Sequence, residues 1–344
     1  MTTDAISPLV TGGADPLRSP AYLDFAARHL AGRVRVHRCA APNDGLAVAH
    51  EYPDRIPLTF DLAAHVRAVG VDASGLGARW LVLSTPLRFR PTLFGADGAA
   101  ALAGLIDRAR ADGLDGVVMP WVPNDDHQLS SILRDQGFIE SFYDADWSVR
   151  TADHESLDSL LDAMPRGPRK RFVNDRNHFV AHGCTVRGWS ADDAADVARM
   201  HREFMTDQGH PGPELADTAA AAFAGLPGGR VDIAVDAQGR RLAFVMSLFG
   251  DDSHVLRWGR HRTSDDARVY ANLGYLHPLE LAVRTGAQRV WFGKSAHRFK
   301  LLRGMTPTTA SVFALGLSGH GRMRTALAAA GEAYRARFEE LTTL

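Results

Sequence analysis

Three runs between Val231 and His261 alternate apolar and polar residues, and this stretch constrains the fold more than any other. Val231, Ile233 and Val235 alternate in the first run, and Leu242, Phe244, Met246 and Leu248 in the second; Val255–His261 makes the third. A period of two puts one row of side chains on a covered sheet face. Asp236–Gly239 and Gly250–Ser253 supply the turns, so the three strands form an antiparallel meander. A short strand, Thr185–Trp189, precedes them. Ser190 then caps a helix to about Asp207, with Ala195, Val197, Ala198, Met200 and Phe204 on its apolar side. After the meander come a helix at Ala271–Thr285, a strand at Arg289–Gly293 and a short basic segment. A last strand, Thr309–Gly316, and a terminal helix, Arg322–Leu341, close the chain. This order predicts an α+β layer with a mixed, mostly antiparallel sheet flanked by helices.

An earlier block echoes the order. Arg33–Cys39, Leu46–Tyr52 and Arg79–Phe89 have strand character, and Gly98–Ala111 is a helix with Ala101, Leu102, Leu105, Ile106 and Ala109 at helical spacing. A buried strand, Gly116–Pro120, follows. Next comes a helix, Asp126–Gln136, with an N-cap at Asp125 or Asp126 and Gly137 at its end, and then a strand, Ile139–Val149. At 344 residues the chain exceeds the usual single domain. Pro165, Gly167 and Pro168 punctuate the stretch between the blocks. Two domains are expected, 1–150 and 151–344.

Composition removes several function classes. The chain is 45% hydrophobic and 23% charged with a net charge of −1, an ordinary globular profile. No apolar run approaches the ~20 residues of a bilayer span, so no membrane partner is expected. Met1–Val10 lacks signal-peptide character, and Cys39 and Cys184 cannot build a disulfide framework, which together predict a cytoplasmic location. The near-zero charge argues against a DNA-binding protein and leaves room for only a small nucleic-acid footprint. His201 and His210 have no acidic neighbour at zinc spacing, and no Walker A loop, Gly-x-Ser-x-Gly elbow or dinucleotide fingerprint occurs. No metal and no permanently bound cofactor are expected.

The basic residues are nearly all arginine; the lysines are Lys170, Lys294 and Lys300. Two of them fall in the segment Gly293-Lys294 to His297-Arg298-Phe299-Lys300-Leu-Leu-Arg303-Gly304, downstream of Tyr270-Ala-Asn-Leu-Gly-Tyr275-Leu-His277-Pro-Leu-Glu280. This order resembles the bacterial peptidoglycan biosynthesis/recognition acyltransferases, a branch of the GNAT superfamily. There a Tyr-x-Pro-Ile-Glu helix, a strand ending in Gly and a His-Lys-x-x-Arg-Gly segment follow one another. Arg298-Phe299-Lys300 is also similar to the Phe-Lys segment of the Fem aminoacyltransferases, which have two GNAT-like domains and take amino acids from aminoacyl-tRNA. Both families carry a basic helix where this chain has Arg166, Arg169, Lys170, Arg171 and Arg176. The resemblance covers roughly residues 150–320. It implies tandem GNAT-like domains, the first degenerate and the second an acyltransferase.

Acyl transfer to an amine needs a deprotonated amine, donors for the tetrahedral oxyanion and a neutralised leaving group. Family analogy places the reacting carbonyl at the third meander strand, beside Arg257, Trp258 and Arg260. A coenzyme A enzyme of this fold carries an Arg/Gln-x-x-Gly-x-Gly/Ala loop before the next helix, whose amides cradle pyrophosphate. Here Arg262-Thr-Ser-Asp265-Asp266-Ala-Arg268-Val-Tyr270 has no glycine and two carboxylates. The first block has Gly95-Ala-Asp-Gly98 at the matching helix start, without the leading Arg or Gln. Aminoacyl-tRNA suits such a site better, because cations can neutralise a ribose hydroxyl flanked by phosphate without a glycine loop.

The resemblance then assigns catalysis to Lys300, Tyr270 and His297. It assigns donor contacts to Arg298, Phe299, Arg303, Lys294, Arg260 and Trp258. The tRNA acceptor end would follow Arg166, Arg169, Lys170, Arg171 and Arg176, and the amine acceptor would meet Asp207, Tyr275 and His277. His261, His277 and His297 all stand open as general base. Acyl-coenzyme A is the alternative donor, and a non-catalytic peptide- or glycan-binding module is the alternative function.

Overall fold

The computed structural model describes residues 16–29, 34–52, 60–85, 90–208, 217–261, 268–317 and 320–343. Met1–Val10, Arg33, residues 86–89, Gly209–Pro211 and Arg262–Ala267, to which expectations were attached, lie outside them. The described strands are β1 Arg35–Ala40, β2 Leu46–Glu51, β3 Trp80–Val82, β4 Leu93–Phe94, β5 Gly116–Pro123 and β6 Ile139–Arg150. They continue with β7 Thr185–Gly188, β8 Gly229–Val235, β9 Arg241–Leu248, β10 Asp252–Arg260, β11 Arg289–Trp291 and β12 Thr306–Gly316. The first six helices are α1 Pro20–His29, α2 Leu62–Arg67, α3 Gly98–Ala111, α4 His127–Asp135, α5 Leu157–Ala163 and α6 Arg166–Ala181. The rest are α7 Ala194–Asp207, α8 Asp217–Ala224, α9 Val269–Ala271, α10 His277–Thr285, α11 His297–Leu301 and α12 His320–Thr342. No helix among the described residues is long and apolar enough to cross a membrane.

The described residues form two compact units, one from those within 34–145 and 308–343 and one from those within 16–29 and 146–307. The division passes close to residue 150, but the chain's last segment joins the first unit instead of closing the second. Pairing explains this. β12 runs antiparallel to β5, with Phe313 opposite Met119 and Leu315 opposite Val117. Met323, Leu327 and Ala330 of α12 are buried in a core with Val66, Val82 and Val312.

In the first unit the strand order is β1-β2-β3-β5-β12-β6, with β3 and β5 parallel. α3 buries Ala101, Leu102, Leu105, Ile106 and Ala109, the five residues whose spacing marked it as a helix. α4 starts where Asp126 accepts a hydrogen bond from the Leu129 amide at 3.0 Å, and it ends at Gly137, whose φ of 84° needs no Cβ to clear. The strand read over Arg79–Phe89 is short in the described residues: β3, then a bridge from Ser84 to Pro91.

In the second unit Ser148–Arg150 pair antiparallel with β11, and the order continues β11-β10-β9-β8-β7. The meander β8-β9-β10 is antiparallel as expected, and β11 is parallel to β10. Val231, Ile233, Phe244, Met246 and Leu256 face one core with Leu17, Tyr22, Val197, Met200 and Phe223. Val245 and Trp258 face the other with Phe179, Val269 and Leu273. Helices α1, α7 and α8 therefore cover one sheet face, and α6 with the helix from Val269 covers the other.

Asp193 begins α7 and is fully buried. Its carboxylate takes Arg187 at 2.7 and 2.8 Å, Arg241 at 2.5 Å and the Ser190 amide at 2.8 Å. Hydrogen bonds from Arg187, and then from Arg241 and Ser190, outweigh burial and hold it well below the ordinary carboxylate range. A depressed folded-state pKa stabilises above the unfolded value of about 3.9, and that stability is lost as pH falls through the folded pKa. Chemical denaturation at stepped pH should therefore show stability falling below about pH 4. Asp193→Asn should flatten that acid limb and lower stability at neutral pH, because Arg187 loses its partner carboxylate and Arg241 keeps only Asp196. An unchanged limb would assign acid sensitivity to other carboxylates.

Candidate functional site

The second unit's sheet is open at one point. β10 pairs with β11 only at Asp252–His254, where Asp252 faces Arg289 and His254 faces Trp291. A bulge between Val255 and Arg257 follows in the pairing with β9, and from there to Arg260 β10 stays with β9 while its ladder with β11 has ended. A bulge adds twist and turns the strand. Two parallel strands whose ladder ends this way leave a wedge between them.

An aromatic cluster stands at the wedge. The Tyr270 ring lies 5.2 Å from Trp258, 5.1 Å from Tyr275 and 5.1 Å from Phe299 between centroids. Tyr275 in turn lies 5.0 Å from both Phe292 and Phe299. The Tyr270 and Tyr275 hydroxyls are 2.6 Å apart. Burial raises the pKa of both phenols, although the Arg303 charge pulls each the other way, so both carry their protons at neutral pH. A π-helical turn at Asn272–Leu276, between α9 and α10, sets this spacing. Such turns interrupt the regular ladder and recur at functional sites. Asn272 holds the turn by donating to the backbone carbonyls of Asp175 and Arg268, each at 2.9 Å.

Lys300 is 1% exposed. Its Nζ donates to the carbonyls of Phe292 at 3.1 Å, Gly293 at 2.7 Å and Lys294 at 3.0 Å, which accounts for all three ammonium protons. It ties down a turn in which Ser295 and Ala296 have φ of 66° and 51°. Left-handed non-glycine residues each cost of order 1–3 kcal/mol, so this turn persists only because its surroundings enforce it. Arg303 is turned inward as well. It donates to Asp175 at 2.6 Å and to the Phe299 carbonyl at 3.3 Å, and its guanidinium stacks 3.4 Å over the Phe299 ring. Arg298 is exposed and Lys294 half-buried.

His297 Nδ1 accepts from Trp147 Nε1 at 3.0 Å, which leaves its ring proton on Nε2 when neutral. His277 Nε2 lies 3.3 Å from the buried Asp232 carboxylate, which also takes Arg230 at 2.8 Å. Burial raises the Asp232 carboxyl, but His277 and Arg230 together hold it below the ordinary range. His261, just past β10, has Nδ1 3.0 Å from Glu203. Asp207 is exposed at the end of α7 and sits on the opposite sheet face from the aromatic cluster.

The basic helix α6 exists, and two of its cations are engaged with α5: Arg169 with Asp162 at 3.3 Å and Arg176 with Asp158 at 2.8 Å. Arg166, Lys170 and Arg171 are exposed and make no ion pair among the described residues. The start of α6 adjoins the Lys300 segment, since a Cβ on Gly304 would lie 3.2 Å from Pro168. In the first unit, the start of α3 is occupied by its own chain: Asp97 accepts from the Asn43 side chain at 2.7 Å and from its amide at 3.2 Å.

Trp258, Tyr270, Tyr275, Phe299 and Arg303 are thus brought together, and Arg166, Lys170, Arg171 and Arg298 are left accessible. Phe292, Asp175, Glu203, Asp232 and Trp147 hold the arrangement and were not singled out from sequence. Only Asp175 had a signal, as the lone acid within the Arg166–Arg176 run.

The meander, the helix that follows it and the parallel strand after that recur in solved structures. FemX shares the fold at a TM-score of 0.57 and 12% identity, over 86% of this chain and 95% of that one. The C-terminal domain of a protein described as a lysylphosphatidylglycerol synthetase from Agrobacterium fabrum does so at 0.56 and 8%, over 89% and 95%. L-PGS from Bacillus licheniformis matches at 0.55 and 9%, over 86% and 91%. No protein-family model and no curated protein sequence matches. The Fem-like fold expected from the sequence is the fold that this chain shares with these structures.

Proposed function

We propose that the chain is an N-acyltransferase that moves an aminoacyl group from aminoacyl-tRNA to the amine of a small molecule, a natural-product intermediate or a cell-wall precursor. The carrying observation is the parted β10–β11 pair with an aromatic cluster at its mouth and no glycine phosphate loop in the connection that follows. The amine nitrogen attacks the ester carbonyl, the bond from that carbon to the ribose oxygen breaks, and an amide forms. His261, held by Glu203, receives the amine proton. Tyr270, protonated at neutral pH, returns one to the ribose oxygen. The aromatic rings pack the aminoacyl and terminal-nucleotide groups. Arg298 and Lys294 face the phosphate charge, with Arg166, Lys170 and Arg171 following the acceptor stem. Lys300 and Arg303 position this machinery. A charged-tRNA donor places the reaction in the cytoplasm.

The deciding assay supplies a mixture of charged tRNAs and an amine panel, with acyl-coenzyme A in parallel. Amide product is expected only with charged tRNA and should vanish after RNase treatment. RNase-insensitive turnover with a thioester would overturn the donor assignment, and binding without turnover of either donor would favour a recognition module.

A further inference from the structure

The opposite face of β10 carries a group that the reaction above does not use. The bulge turns Arg257 toward the core made with α1, α7 and α8, while Trp258, the next residue, turns to the aromatic cluster. Arg257 Nε is buried with no hydrogen-bond partner, and the residue makes no ion pair among the described residues. Beside it, His201 of α7 is 4% exposed, and its Nε2 is likewise buried without a partner. Gly259 brings the strand against this histidine, since a Cβ there would sit 2.9 Å from the His201 amide nitrogen.

No carboxylate relieves the pair. Burial lowers Arg257 to about 10, opposed only by the Tyr22 hydroxyl. Burial, and then the Arg257 charge, lower His201 to about 3. The site therefore holds one cation and one neutral imidazole, and each makes the other's charge more costly. Four other arginines of this unit are matched by carboxylates: Arg187 and Arg241 with Asp193, Arg230 with Asp232, Arg303 with Asp175. Arg257 is half-buried as a residue, with its Nε enclosed and unpartnered, and a ligand oxyanion would supply the missing counter-charge.

We propose that Arg257 and His201 form a subsite for an oxyanion, a carboxylate or phosphate, on the acceptor amine. It lies one residue from the aromatic cluster, across the splayed strand. This assignment rests on the transfer reading above, and it narrows the acceptor to an amine bearing an acidic group. The guanidinium offers a two-pronged contact and His201 Nε2 a single N–H.

The test separates the subsite from the reaction. Long-range ¹H–¹⁵N spectra of the imidazoles are recorded while the full chain is titrated with inorganic phosphate and, separately, with acetate. A saturable shift of the His201 signal is expected for at least one anion, with the His154 signal unmoved. Arg257→Gln should abolish the shift yet raise the melting temperature, since it removes an uncompensated charge; Arg257→Lys should weaken the anion at least tenfold. Absence of a saturable shift at His201 in the folded wild type overturns the subsite whatever the assay shows. In the transfer assay, an amino acid acceptor should outperform its methyl ester at least tenfold in kcat/KM, and Arg257→Gln should erase that preference. Equal use of acid and ester overturns the acceptor assignment. An anion-induced shift without any transfer overturns the function and leaves the subsite standing.

Discussion

Replacing Lys300 by methionine will lower stability by about 3–5 kcal/mol and abolish measurable transfer. The carbonyls of Phe292, Gly293 and Lys294 lose the ammonium at once, and of the three Gly293 keeps the Trp147 amide at 3.3 Å. Each unsatisfied buried group costs about 1–3 kcal/mol. Methionine fills the volume and donates nothing. At roughly 2–4 °C per kcal/mol, the melting temperature should fall by about 10 °C. Transfer fails for a geometric reason: the turn that presents Lys294 and starts α11 relaxes from its left-handed residues. A displacement of about 1 Å is enough for a loss of the order of a hundredfold. The contrast is Lys294→Gln, which should weaken donor use while melting like the wild type. A Lys300→Met protein that melts normally but makes no product would put the ammonium on the substrate instead of the turn.

That prediction separates what the sequence discloses from what it cannot. Lys300 is conspicuous in an arginine-rich chain, and its place in the Arg-Phe-Lys triplet points to a role at the site. Its burial is invisible, because an amphipathic side chain reads the same whether its head faces water or three carbonyls. The elements were legible where periodicity was strong. The α3 row is buried residue for residue, and the meander rows are too except Leu242, which packs on the other sheet face beyond a register shift. The helix after β10 was legible as a helix, but not its π turn, since no residue type demands the extra residue at Asn272–Leu276. The partners of the polar residues were hidden for another reason. Glu203, Asp232 and Asp193 are acids among 40, and only tertiary contact distinguishes a buried, cation-bound carboxylate from a solvated one. The terminal helix is legible as a helix but its neighbours are not, because the residues it buries, Met323, Leu327 and Ala330 among them, fit any apolar core.

Simultaneous replacement of Arg166, Lys170 and Arg171 by glutamine should leave melting unchanged and selectively impair the use of charged tRNA. These three are exposed and unpaired among the described residues, so their removal disturbs no folded contact. Arg169 and Arg176 should be left in place, because each also binds an acid of α5. Every cation that neutralises a phosphate releases counter-ions and steepens the fall of affinity with salt. Three such contacts contribute about 2–3 units to the slope of log affinity against log salt. The triple variant should therefore bind a tRNA acceptor-stem duplex more weakly at low salt, with the slope flattened by that amount. Arg298→Gln, on the other side of the Lys300 turn, should remove about one further unit. Because the variants leave the aromatic cluster intact, kcat at saturating charged tRNA should hold while KM for the tRNA rises. An unchanged salt slope would mean that α6 is a solvated helix face, and RNA would then have to reach the wedge by another surface.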